Sequence, residues 1–207
     1  DMAFDSWLAF TLATIVLTLI PGPSVLLLIS LAIARGKKAA MMCIVGDMFG
    51  TVVLMALSFL GVGVLLAASA VLFQLVKWAG VLYLAYLGLR QILDARKQPD
   101  VIDEEASSQS PWNSLWAGSV TAILNPKAII FYMAFLAQFV DPDGNFGLQM
   151  GILTLTSIVI VAVLLSGYAM IAGYARARLK QRSVRRKIGY AGGSLMLGGS
   201  ALMAATR

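Results

Sequence analysis

The sequence predicts an all-α membrane protein of six transmembrane helices, two inverted three-helix repeats with helices 1 and 4 broken near their middles. Three observations carry this. Of 207 residues, 59% are hydrophobic and only 13% charged, where a soluble domain is about a quarter charged. Stretches almost free of charge recur along the chain, each near or above the roughly 20 residues that cross a bilayer. Two proline breaks, Pro21-Gly22-Pro23 and Asn125-Pro126-Lys127, fall at matching depth in the first helix of each half.

Taken in order, Ser6 to Ala34 forms helix 1. A secretory signal peptide is not expected here, because the stretch has no basic n-region, is too long, and runs into further spans. Ala39 to Leu89 is interrupted only by Asp47 and Lys77 and is too long for one span, so it folds as helices 2 and 3, turning near Ala67-Ala68-Ser69-Ala70. Asp94 to Trp112 reads as a cytoplasmic linker, with Asp100, Asp103, Glu104, Glu105 and a Ser-Ser-Gln-Ser-Pro run. Helices 4, 5 and 6 follow as Ala106 to Val140, with Lys127 its one charge in the apolar part, Gly144 to Ala175, and Ile188 to Thr206. The chain is thus one transmembrane domain, residues 1–207, with repeats at 1–93 and 113–207 joined by 94–112. Three spans per half is an odd number, so the second half enters the membrane from the opposite side, as an inverted repeat requires.

Charge orients the molecule. Arg35, Lys37 and Lys38 follow helix 1; Arg90, Arg96 and Lys97 follow helix 3; Arg176, Arg178, Lys180, Arg182, Arg185, Arg186 and Lys187 follow helix 5. These are 13 of the 16 basic residues, all in alternate loops. The positive-inside rule places those loops in the cytoplasm and leaves both termini, with the Asp141 to Asn145 turn, in the periplasm. The net charge of +6 therefore meets anionic lipid heads, and nucleic acid is not an expected partner.

The breaks are where chemistry is expected. Proline has no N–H to give to the carbonyl four residues back, so Pro21 frees the carbonyl of Leu17, Pro23 that of Leu19 and Pro126 that of Ala122. In hydrocarbon such groups must face protein, water or a ligand. The helix that restarts after each break aims backbone N–H groups and a positive dipole end at the bilayer centre, which suits a carboxylate. The expected substrate-binding residues are therefore Pro21, Gly22, Pro23 and Ser24 in helix 1, and Asn125, Pro126, Lys127 and Tyr132 in helix 4.

Asp47 is the lone carboxylate inside a predicted span, beside the small residues Cys43, Gly50 and Thr51, and is the candidate proton-coupling residue or partner of a substrate ammonium. Lys127 is the one deeply placed cation, able to bind a substrate carboxylate, to pair with Asp47 or to cap the break. On an unbroken helix it would point away from Asn125, so both line one cavity only if Pro126 breaks the helix. Lys77 lies about one turn inside helix 3 and snorkels outward. Gly46 and Gly50 in helix 2, and Gly189, Gly193, Ser194 and Gly198 in helix 6, permit close helix contact within the chain or across a homodimer. Cys43, the single cysteine, reads as a small packing residue. With no histidine and no phosphate-binding loop, hydrolase chemistry, soft-metal ligation and a primary pump have no residues to carry them, and no cofactor or metal is expected.

The motifs resemble the LysE/RhtB family of bacterial amino acid exporters, most nearly its leucine- and threonine-exporter branch. The matching pieces are Pro21-Gly22-Pro23, Arg35-Gly36, Gly46-x-x-x-Gly50, Lys77-Trp78-Ala79-Gly80 through Gly88, and Asn125-Pro126-Lys127 through Phe131 followed by Gln138-Phe139. The resemblance implies inner-membrane residence, homodimers, and export of amino acids or derivatives, with leucine, threonine and homoserine as model substrates, coupled to protons by antiport. An uncoupled channel or facilitator is the alternative. Some relatives carry an acidic residue in helix 5; here Thr156 and Ser157 occupy that region, which concentrates proton coupling on Asp47.

Overall fold

The structure is a computed structural model that describes residues 2–61, 69–97, 110–141, 143–178 and 182–205. Among these residues all regular structure is helical. In chain order the helices are α1 (Phe4–Leu19), α2 (Pro23–Ala34), α3 (Lys37–Phe59), α4 (Ala70–Lys97), α5 (Pro111–Ile123), α6 (Pro126–Ile130), α7 (Phe146–Arg178) and α8 (Arg182–Ala205). α6 runs directly into a π-helical turn, Phe131–Phe135, and a 3-10 turn, Leu136–Phe139.

Two of the described helices, Lys37–Phe59 and the Phe146–Ala175 part of α7, are long and apolar enough to cross a membrane by themselves, and α1 with α2 makes a third if the pair is one span bent by 52°. The surface is that of a membrane protein. Leu8, Leu12, Val16 and Leu19 on α1, Met41, Val45, Phe49 and Val52 on α3, and Ile152, Leu155, Val159 and Val163 on α7 are all exposed, while Thr14, Asp47, Thr51, Ser119, Thr121, Asn125 and Ser157 are buried. An apolar surface around a core that holds these polar groups among its apolar side chains departs from the soluble pattern and suits lipid as the solvent.

Small residues set the helix contacts. α3 crosses α5 with backbones touching: a Cβ on Gly46 would collide with the Leu115 carbonyl, one on Gly50 with Ala122 and the Ser119 carbonyl, and one on Gly118 with the Cys43 carbonyl. α4 packs along α8, where Gly193 meets the Gly88 carbonyl and Ile92, and the Ser200 hydroxyl donates to the Val81 carbonyl at 3.1 Å. α7 lies against α1, α2 and α3. Gly36 turns the chain from α2 into α3 with φ 87° and ψ −167°, a conformation open in practice to glycine alone.

Some expected boundaries move. α3 ends at Phe59 and the chain turns at Leu60-Gly61, with Gly61 at φ 77°, earlier than the expected turn near Ala67; Ala67 and Ala68 lie outside the described residues, and Ala70 already opens α4. The expected linker is shorter at both ends: α4 continues through Asp94 to Lys97, and the Ser110 hydroxyl caps α5 by accepting from the Trp112 N–H at 3.4 Å. Serine followed by proline is an N-cap followed by a first-turn residue, so the helix starts where the sequence reading still had loop. Residues 98–109 lie outside the described residues, as does the Lys77 side chain. In α8 Gly193 is buried while Ser194 and Gly198 are exposed, and the burial of Gly189 lies outside what is described.

Candidate functional site

The site is built from two interruptions facing each other. α1 stops at Leu19, Ile20 and Gly22 are extended, and α2 restarts with Pro23 in its first turn. α5 stops at Ile123, Asn125 is extended, and α6 restarts with Pro126. Each proline has the fixed φ of a first helical turn, where its missing N–H costs nothing.

Every carbonyl that the three prolines release has a partner. The Lys127 ammonium donates to the Leu17 carbonyl at 2.5 Å and to the Ile20 carbonyl at 2.7 Å. The Tyr168 hydroxyl of α7 donates to the Leu19 carbonyl at 2.8 Å, and the Asn125 N–H donates to the Ala122 carbonyl at 3.2 Å. Lys127 thus caps the end of α1 from across the molecule, as a cation at a helix C-terminus should. Of the three roles open to it in the sequence, this conformation displays the capping one. Gly22 leaves room for the approach, since a Cβ there would lie 3.3 Å from the Lys127 Nζ.

One expectation about the N–H groups needs correcting. The Lys127 N–H after Pro126 is not free: the Asn125 side-chain oxygen accepts it at 3.1 Å. Asparagine before proline is an N-cap, a signal the sequence carries in plain view. At α2 the N-cap is Gly22, which has no side chain to offer, so the N–H groups of Ser24 and Val25 open this helix without a side-chain cap.

Asp47 sits ten residues, about 15 Å, along α3 and is only 6% exposed, so it is not an acid wetted from the helix end. Its position is fixed by the close crossing, because a Cβ on Gly118 would also press on the Asp47 backbone nitrogen. Ser24 is its hydrogen-bonding neighbour and Lys127 the nearby cation. Tyr132, on the π turn, is buried and within reach of the Asp47 charge; its backbone carbonyl accepts from the Ser58 hydroxyl at 2.7 Å.

These groups surround one cavity of about 40 Å³. Gly22, Ser24, Asp47, Asn125, Lys127 and Tyr132 line it, with Leu17, Val25, Val161 and Leu165 among its apolar walls. Asn125 and Lys127 share it because the helix is interrupted between Ile123 and Pro126. Pro21, Pro23 and Pro126 are not in the lining; they shape the backbone that forms it. The sequence reading missed Thr18, whose hydroxyl is spent on the Thr14 carbonyl, and the apolar α7 wall, and it missed Gly118, which looks unremarkable until α3 is laid against it. The π turn, a feature common at functional sites, has no sequence signature either.

Among the described residues, two buried hydroxyls remain without a hydrogen-bond partner, Thr121 Oγ1 and Ser157 Oγ. Each has a tyrosine phenol beside it, Tyr83 for Thr121 and Tyr132 for Ser157, but outside hydrogen-bonding geometry.

Comparison with known proteins identifies the scaffold. No solved structure matches the chain. A homoserine/homoserine lactone efflux protein of Salmonella typhimurium is 32% identical over 208 residues, covering 100% of this chain and 99% of the relative. A leucine efflux protein of Klebsiella pneumoniae is 31% identical over 186 residues, covering 89% and 87%, and an uncharacterized membrane protein of Vibrio cholerae is 28% identical over the full length of both. The Salmonella and Klebsiella relatives are efflux proteins by name. With the model of the LysE type translocators matching residues 15–206 as well, the chain belongs to that family.

Proposed function

We propose that this protein exports small amino acids or their derivatives across the bacterial inner membrane by proton antiport, through the cavity between the two helix interruptions. The observation that carries the reading is the convergence of Asp47, Ser24, Lys127, Asn125 and Tyr132 on one cavity. A zwitterion is the ligand whose two charges suit it. The uncapped N–H groups at the start of α2 hold the carboxylate, and Asp47 meets the ammonium or carries the proton. The names of the efflux relatives support amino acids as the cargo.

Six spans are read by joining α1 with α2, and α5 with α6 and the turns after it. The packing supports two inverted repeats: α3 on α5 has its counterpart in α7 on α1 and α2, while α4 with α8 and α3 with α7 are pairs that a two-fold axis maps onto themselves. Both termini then lie in the periplasm, and lipid covers the exposed apolar faces. At about 40 Å³ the cavity takes on the order of three waters, fewer heavy atoms than the smallest amino acid. Substrate therefore enters only as one half rocks against the other, which favours a carrier over an open channel.

Inside-out vesicles supplied with labelled leucine, threonine and homoserine test the reading. The expected result is accumulation that requires an imposed pH gradient. Equilibration without concentration would make the protein a facilitator, and no uptake of any amino acid would remove the reading.

A further inference from the structure

Five helical serines and threonines in this protein close on the carbonyl four residues back. Thr11 donates to Trp7, Thr14 to Phe10, Thr18 to Thr14, Ser119 to Leu115 and Thr156 to Ile152, all at 2.8 to 2.9 Å. This is the ordinary way to satisfy a hydroxyl in an apolar surrounding. Ser157, next to Thr156 on the same helix, does not do so: its side chain is wholly buried, and its oxygen has no partner in hydrogen-bonding geometry, with the Tyr132 phenol beside it. Leaving such a group unmet costs about 1–3 kcal/mol, so its orientation calls for a ligand or a water.

The placement says which. Ser157, Val161 and Leu165 follow one another at four-residue spacing and share a face of α7, and Val161 and Leu165 already line the cavity. Ser157 is the next position on that face, and its polar neighbour is Tyr132, itself a lining residue. Thr121, the other unpartnered hydroxyl, has Tyr83 of α4 beside it instead. At about 40 Å³ the cavity is smaller than the cargo, so an arriving amino acid must enlarge it. The polar end of α7's lining face is where a side chain finds hydrogen bonds.

We propose that Ser157 and Tyr132 form a side-chain subsite that reads a hydroxyl on the transported amino acid, and so set the preference between hydroxylated and aliphatic cargo. This rests on the export reading above. The Ser157 hydroxyl and the Tyr132 phenol each offer a donor and acceptors, so a substrate O–H is met from both sides. An aliphatic isostere leaves both unpaired. A site of this kind discriminates against the analogue that lacks the hydroxyl, which an apolar pocket of the same shape does not.

The test uses near-isosteric pairs, threonine with valine and homoserine with norvaline, as labelled substrates in vesicles carrying the wild-type protein, Ser157→Ala or Tyr132→Phe. Ser157→Ala removes one oxygen from a packed site, and equal membrane levels of each variant are checked by immunoblot. The expected result is a three- to tenfold fall, the worth of one hydrogen bond, in transport of the hydroxylated member relative to its aliphatic partner in both variants. If wild-type vesicles transport these substrates and both members of a pair change by the same factor, or neither changes, the subsite is overturned while the export reading stands. If the wild-type protein transports none of the four and no other amino acid, the export reading fails and takes the subsite with it.

Discussion

The Lys127 ammonium is bonded to the carbonyl oxygens of Leu17 and Ile20, at 2.5 and 2.7 Å, so a residue of the second half of the chain closes the end of α1 in the first. Lys127→Met removes both bonds and leaves two carbonyls facing a largely apolar wall. At about 1–3 kcal/mol for each orphaned group, the detergent-solubilised variant should unfold several degrees below the wild type in scanning fluorimetry, and transport should be lost. An unchanged melting temperature would mean that the cap is not structural. Gly22→Ala should give a weaker version of the same effect, since its new Cβ lies 3.3 Å from the Lys127 Nζ.

The α3–α5 crossing gives a second expectation. Gly46→Ala and Gly118→Ala each drive a Cβ into a backbone carbonyl, of Leu115 and Cys43 respectively, and a backbone cannot step aside as a side chain can. Each should cost at least the ~1–3 kcal/mol of ordinary overpacking. Gly151→Ala, with nothing within 4 Å of the new methyl, should leave thermal stability unchanged. Equal stability of all three proteins would show that the helices do not cross as described.

Pro23→Ala and Pro126→Ala restore an N–H at each restart and favour a continuous helix. Both variants should reach the membrane at normal levels and lose export at least tenfold, because a continuous helix withdraws the carbonyls and N–H groups that form the cavity. Normal export by both would place the transport site elsewhere.

How much of this was legible in sequence follows from what each residue type imposes. Pro21, Pro23 and Pro126 mark interruptions on their own, because a missing N–H acts wherever the helix runs. Asp47 and Lys127 stand out because charge at depth is rare. What Lys127 touches was not legible: its partners lie 110 and 107 residues away, and only the fold brings them near. Asn125 as an N-cap was readable and was passed over in favour of free N–H groups. Gly118 and the unpartnered hydroxyl of Ser157 take their meaning from neighbours on other helices, so no local pattern could announce them.

Topology has its own check. Of the basic residues assigned to cytoplasmic loops, Lys37, Lys38, Arg90, Arg96, Arg186 and Lys187 are exposed, as the orienting charges should be. A C-terminal alkaline phosphatase fusion should be active and a fluorescent protein fused at the same point dark. The opposite pair of results would invert the protein in the membrane.

The measurement that bears most directly on the account is Asp47→Asn, assayed both for gradient-driven accumulation and for substrate exchange at equal pH. The asparagine keeps the size and hydrogen bonding of the buried carboxylate beside Ser24 but removes the exchangeable proton. The account predicts that concentration of substrate against its gradient is abolished while exchange stays within a few-fold of wild type. Should Asp47 instead hold the substrate ammonium, exchange would fall as well, by 10²-fold or more, since breaking a buried charge pair costs about 3–5 kcal/mol. A variant that still concentrates substrate at the wild-type rate would contradict the account, leaving Asp47 a structural residue and the coupling site elsewhere.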